Sequence, residues 1–155
     1  MYDLSIIGAG WAGFNAALKA KESGLKTCLI ERSFIGGTCL NLGCIPTKSL
    51  IQSSKAYSLT KKSQVFGLEP ITPSFNLSKI QERKDKVVQQ LRSGMQFMLQ
   101  GIDFLAGEAK IVLNNEILVG DKTINSKNIL IASGSKPYEL PQFKFCGITV
   151  SSSVI

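Results

Sequence analysis

The sequence predicts an α/β domain: a parallel sheet packed by helices, one of them long, with a small antiparallel β-meander. Three observations predict it. Residues 1–31 run strand, helix, strand. Apolar residues recur at helical spacing from Asn76 to about Gln100. Beyond Ile102, short β-forming runs alternate with Gly, Asn and Asp turns.

Taken in order, "DLSIIGAG" is an apolar run bounded by glycine, and "WAGFNAALKAKESG" carries Ala, Phe and Leu at helical spacing and stops at Gly24. "LKTCLIE" is a second short apolar run. "SFIGGT", residues 33–38, reads as a loop. A helical segment is expected from about Cys39 to Lys62, made irregular at Pro46, which cannot donate to the carbonyl of Leu42. "VFGLEPITPSF" holds Gly67, Pro70 and Pro73 and reads as a connection. Leu77, Ile80, Val87, Val88, Leu91, Met95, Met98 and Leu99 then mark one face of a long amphipathic helix. The remainder predicts a meander followed by a buried strand at residues 128–132. No internal repeat or low-complexity tract interrupts the chain, and "GITVSSSVI" trails off without a closing element.

At 155 residues, with 44% hydrophobic and 19% charged side chains, the composition is that of one folded domain rather than two domains or a disordered chain. The formal charge of +7 would suit an anionic partner. Its basic residues are dispersed, however: Lys79, Arg83, Lys84 and Lys86 are interrupted by Glu82 and Asp85, the pattern of a solvated helix face, and no nucleic-acid partner is expected. No apolar run reaches the roughly 18 residues of a membrane span, and a strand begins almost at Met1. No membrane association is therefore expected, and a reducing, cytoplasmic setting is.

Gly8, Gly10 and Gly13 stand as G-x-G-x-x-G between a strand and a helix, the fingerprint of a Rossmann-like dinucleotide fold. The first glycine allows a tight turn, the second lets a pyrophosphate approach the backbone, and the third lets helix and strand pack closely. Glu31 closes the second strand, where a carboxylate can accept from a ribose diol and disfavours a 2′-phosphate. The fingerprint alone does not separate FAD from NAD.

"GGTCLNLGCIPTK" places Cys39 and Cys44 five residues apart in a chain of 4 cysteines and no histidine. A zinc site would have to recruit Cys28 and Cys146. A static disulfide, a pair of inert thiols and a redox-active disulfide are the other readings. In an ideal helix residues five apart have Cα atoms about 8–9 Å apart, whereas a disulfide needs about 4.4–6.8 Å. A redox disulfide therefore requires a distorted segment, and a helix N-terminus beside it would stabilise a thiolate.

The same stretch resembles the active-site signature of the flavoprotein disulfide reductases, class I pyridine nucleotide-disulfide oxidoreductases, and within them the dihydrolipoyl dehydrogenase group. The glycine fingerprint, Glu31, the long helix, "GEAKI" and "ILIASGSKP" follow that family in order and spacing over nearly the whole chain. The resemblance implies an FAD-binding domain over residues 1–146, with 147–155 leading into an NAD-binding domain. It implies that Gly8, Gly10 and Gly13 hold the FAD pyrophosphate and Glu31 the adenosine ribose. Gly37 and Thr38 would lie by the pyrophosphate and flavin, Gly107 and Ala109 by the adenine, and Ser133 and Gly134 would also contact the cofactor. Cys44 would be the charge-transfer thiol beside the flavin, Cys39 the interchange thiol that meets the substrate, and Lys48 a cation near the reactive flavin nitrogen. Leu42, Thr47 and Ser133 depart mildly from the family, which more often has valine, serine and threonine there. Thr47 also weighs against the glutathione- and trypanothione-reducing relatives, which tend to have lysine at that position. Cys28 and Cys146 match no family role.

The family passes electrons between NADH, FAD, the cysteine pair and lipoamide, with a histidine as acid–base catalyst. With no histidine and one glycine fingerprint, this sequence is expected to be the N-terminal part of a longer, homodimeric enzyme whose partner is the lipoamide-bearing acyltransferase of a 2-oxo acid dehydrogenase complex. By itself it is expected to be inactive. A mercuric or other disulfide reductase, or a stand-alone nucleotide-binding or thiol-redox module without enzymatic activity, are the alternatives.

Overall fold

The computed structural model describes residues 1–146; the expected lead-in at 147–155 lies outside the described residues. The elements are β1 (Tyr2–Ile7), α1 (Trp11–Glu22), β2 (Thr27–Glu31), α2 (Gly37–Leu42), α3 (Cys44–Lys61), a 3-10 turn (Ser63–Phe66), α4 (Leu77–Met98), β3 (Asp103–Ala106), β4 (Ala109–Leu113), β5 (Glu116–Val119) and β6 (Lys122–Ile131). The strands form one sheet in the order β3-β2-β1-β6-β5-β4.

This is the mixed α/β architecture expected. β1, β2 and β3 are parallel, with Ile6 beside Leu29 and Leu29 beside Phe104. β6 does two jobs. Its first half, from Lys122 to Asn125, pairs antiparallel with β5, and its second half, from Ser126 to Ile131, pairs parallel with β1. One long strand thus joins the meander to the parallel sheet.

Two apolar clusters hold these layers. On the helical side Phe14 and Ala17 of α1 and Val88, Met95 and Leu99 at α4 pack on Ile6 and Leu29. The small residues of α1 allow close approach. In the other cluster Ile117, Val119 and Ile124 of the meander pack against Cys28 and Ile30 of β2. Burial of such side chains contributes about 1.5–3 kcal/mol each relative to exposure. α4 is N-capped by Asn76, whose Oδ1 accepts from Lys79 N–H at 3.1 Å. It is tied to α3 by Arg83, which donates to the Ser49 carbonyl (3.1 Å) and hydroxyl (3.0 Å).

Two expectations are corrected. The helix break falls at Gly43, not at Pro46. Pro46 occupies the first turn of α3, where its missing N–H costs nothing, and the first intrahelical bond comes one residue later, from Thr47 N–H to the Gly43 carbonyl at 3.1 Å. The strand at residues 128–132 is not buried: Leu130 is 38% and Ile131 63% exposed. Its apolar run serves parallel pairing with β1, while its outer face has no covering layer among the described residues.

Candidate functional site

β1 delivers the chain to Gly8 at φ +105°, a conformation that favours glycine, and the turn is closed by Gly8 N–H donating to the Ile30 carbonyl at 2.8 Å. A Cβ on Gly8 would lie 2.3 Å from the Ala132 carbonyl oxygen, and one on Gly13 only 1.8 Å from the Gly8 carbonyl oxygen. Gly10 differs: the nearest atom to a Cβ there is Gly37 Cα at 3.8 Å. The first and third glycines are therefore required by the protein's own packing, whereas the second borders open space. No side chain caps the N-terminus of α1 and no acidic residue occupies its first turn. The first helical bond runs from Phe14 N–H to the Gly10 carbonyl at 2.8 Å, so the N–H groups of Trp11, Ala12 and Gly13 have no partner within the helix.

Glu31 ends β2 with both carboxylate oxygens engaged. Oε2 accepts from Ala9 N–H at 2.7 Å and Oε1 from Ser33 N–H at 2.9 Å. It braces the glycine turn and keeps further lone pairs for a ligand hydroxyl.

Around this turn lies a groove of about 580 Å³, walled by Gly8, Gly10, Glu31, Gly37, Thr38, Ser133 and Gly134 among others. A second hollow of about 370 Å³ shares Gly8, Glu31, Ser133 and Gly134 and adds Gly107 and Ala109. Every cofactor-contact residue named from the sequence lines one or the other, except Gly13, which packs behind the turn, and Lys48. An open position beside Gly10, uncapped helix donors and a braced carboxylate fit an adenine dinucleotide such as FAD. Sequence reasoning missed Trp11, Phe34, Asn41 and Arg92, which complete the walls. Arg92 had no local signal, since it lies on α4, far along the chain from the other wall residues.

The cysteine pair sits at the α2–α3 junction. Gly43 lets the chain double back there: a Cβ on it would stand 3.1 Å from the Thr38 carbonyl oxygen and 3.5 Å from Cys39 Cα. Cys39, half-buried on α2, and Cys44, exposed as the first residue of α3, are free thiols within hydrogen-bonding reach of each other. That bond holds the proton on Cys44 and pushes its pKa up, desolvation adds to the rise, and the nearby Lys48 charge opposes it. Cys39, Cys44 and Lys48 do not wall the groove; their helical neighbours Thr38 and Leu42 do. Cys28 is buried in the meander-side cluster, where desolvation pushes its thiol up to about 11. Beside it Tyr2 donates to Asp103 Oδ2 at 2.9 Å, a bond that heads the causes raising the tyrosine to about 12.

A glycine turn of this kind on a parallel sheet, with a thiol pair on the adjoining helices, defines a dinucleotide-binding domain of the thiol-redox class. The chain belongs to the pyridine nucleotide-disulphide oxidoreductase family, whose family model matches residues 2–152. It is 42% identical to the dihydrolipoyl dehydrogenase of Acholeplasma laidlawii over 137 residues, 86% of this chain and 41% of that protein. With the dihydrolipoyl dehydrogenase of Staphylococcus aureus it shares 40% over 149 residues, 92% of this chain and 32% of the relative. A mercuric reductase of Staphylococcus aureus is 36% identical over 159 residues, 99% of this chain and 29% of the relative. Among solved structures, the HOCl-induced flavoprotein disulfide reductase RclA from Escherichia coli superposes with a TM-score of 0.74 at 29% identity, covering 90% of this chain and 30% of that one. The chain thus spans between 29% and 41% of the lengths of these relatives.

Proposed function

We propose that the chain is the FAD-binding, thiol-bearing N-terminal part of a dihydrolipoyl dehydrogenase. The observation that carries this reading is the junction at Gly43, which brings Cys39 and Cys44 together on helices whose other residues, Thr38 and Leu42, wall the dinucleotide groove. The dihydrolipoyl dehydrogenases among its relatives support the choice of substrate.

In this reading the Cys39–Cys44 disulfide is the working oxidant. One thiolate of dihydrolipoamide attacks Sγ of Cys39, forming a mixed disulfide and releasing Cys44 as thiolate. The second substrate thiolate displaces Cys39, so lipoamide leaves as a disulfide and the protein keeps two thiols. The two electrons gained equal the two lost by the substrate, and its two protons pass to the protein thiols or to solvent. Lys48, one turn after Cys44 on α3, favours the thiolate form of Cys44. FAD, when bound, supplies the two-electron acceptor that returns the pair to the disulfide, and NAD would accept the electrons from there. A homodimeric parent working with a lipoamide-bearing acyltransferase completes the proposal. Among the described residues no helix is long and apolar enough to cross a membrane.

Mercuric ion or another disulfide is the second substrate reading, favoured by the mercuric reductase match. Activity of the longest polypeptide carrying this chain, with dihydrolipoamide against mercuric ion, decides between them. For the chain itself the test is an absorbance spectrum after addition of FAD and removal of excess, before and after dithionite, beside a thiol count. The expected result is a retained flavin spectrum, with both Cys39 and Cys44 becoming titratable only on reduction of the air-oxidised protein. A colourless protein whose thiol count is unchanged by reduction would sink the reading.

A further inference from the structure

Arg92 is a cation that the thiol chemistry does not use. It projects from α4 into the groove wall, with its guanidinium carbon 4.1 Å from the centroid of the Phe34 ring and its Nε donating to Asn41 Oδ1 at 2.5 Å. Asn41 is itself fixed, because its Nδ2 donates to the carbonyls of Ile35 (3.0 Å) and Gly37 (2.8 Å), which leaves only its oxygen to face the arginine. Stacking on the ring holds the guanidinium plane, and the Nε bond holds its rotation, so the two terminal amino groups are pre-aimed.

Nothing negative among the described residues meets them. Among the described residues no carboxylate lies within ion-pair distance of Arg92. Glu31, the acid of the same groove, turns its oxygens to Ala9 and Ser33 instead. A half-buried guanidinium without a counter-charge bears a desolvation cost that an anionic ligand would offset. The same wall holds Gly10, Trp11 and Thr38, so the arginine and the uncapped start of α1 face one cavity.

We propose that Arg92, pre-set by Phe34 and Asn41, is an anion-binding residue of the groove that takes the diphosphate of an adenine dinucleotide. The inference rests on the dinucleotide reading above and adds to it a residue from outside the glycine turn. A planar fork of donors matches two phosphate oxygens at once, which a lysine ammonium cannot do.

The test is calorimetric titration of the chain with ADP, adenosine and FAD, comparing the wild type with Arg92→Gln and Arg92→Lys, each checked for folding by circular dichroism. The glutamine variant is expected to lose roughly ten- to a hundred-fold in affinity for ADP and FAD and to bind adenosine unchanged. The lysine variant is expected to lose less of the ADP affinity, again with adenosine unaffected. Affinity for ADP held within about two-fold in both variants overturns the proposal, as does equal weakening of ADP and adenosine, which is the mark of a merely structural tie between α4 and α2. Should Arg92→Gln fail to fold, the lysine variant decides by the same comparison. A wild-type chain that binds neither ADP nor FAD brings down the dinucleotide reading itself, an outcome distinct from failure of the arginine alone.

Discussion

At the scale of single residues, the proton on Cys44 is held by its neighbour Cys39. Sequence reasoning placed a thiolate there because helix N-termini favour negative charge. In the dithiol the hydrogen bond with Cys39 raises the Cys44 pKa, with Lys48 pulling the other way. Removing the bond in Cys39→Ala is expected to lower the pH at which Cys44 becomes reactive, whereas Lys48→Gln, which removes only the opposing charge, is expected to raise it further. The measurement is the pH dependence of alkylation at Cys44 followed by peptide mass spectrometry. If Cys39→Ala moved the midpoint upward, the thiol–thiol bond would not be what holds the proton. That Gly8, Gly10 and Glu31 share one turn and Cys39 and Cys44 one junction was legible because each lies in a short contiguous pattern with its own chemistry. Arg92, 51 residues from Asn41, was not, since contacts across that span leave no periodic trace in sequence.

At the scale of elements, the βα turn separates two jobs that the fingerprint lumps together. In Gly13→Ala the methyl meets the Gly8 carbonyl oxygen at 1.8 Å, so α1 must pull away from β1. That overpacking is expected to cost at least about 1–3 kcal/mol in urea denaturation. In Gly10→Ala the added carbon finds nothing closer than 3.8 Å and occupies groove space, so stability is expected to hold while FAD and ADP affinity falls. Loss of stability in Gly10→Ala, or retained dinucleotide affinity, would count against the groove as the binding site. The neighbouring junction shows where sequence logic failed. The sequence puts the irregularity at Pro46, yet Pro46 falls in a first turn that tolerates it. The break comes at the glycine one residue before α3, where a side chain would crowd the Thr38 carbonyl and Cys39. Strand, helix and meander order was legible from periodicity; the doubled role of β6 was not, because one apolar run serves both pairings.

At the scale of the whole molecule, the groove is walled by residues from the two ends of the described chain. The Gly8 turn lies beside Ser133 and Gly134, and Arg92 comes from the helix between. The order of these segments in sequence says nothing of their adjacency. It follows only once β6 is placed parallel to β1, with Ala132 N–H donating to the Ile7 carbonyl at 2.8 Å. A ligand filling the groove therefore bridges β1, β6, α2 and α4, and binding the native state alone must stabilise all of them together. At a hundred times its dissociation constant FAD would contribute about 2.7 kcal/mol, which corresponds to a rise in Tm of about 5–10 °C for a domain of this size. Riboflavin, which lacks both the diphosphate and the adenosine, reaches neither Arg92 nor Glu31 and is expected to raise Tm far less, with ADP in between. Thermal melts followed by circular dichroism in each ligand check the order. If riboflavin matched FAD, the flavin end alone would be holding the complex, and the glycine turn with its braced carboxylate would have no part in it.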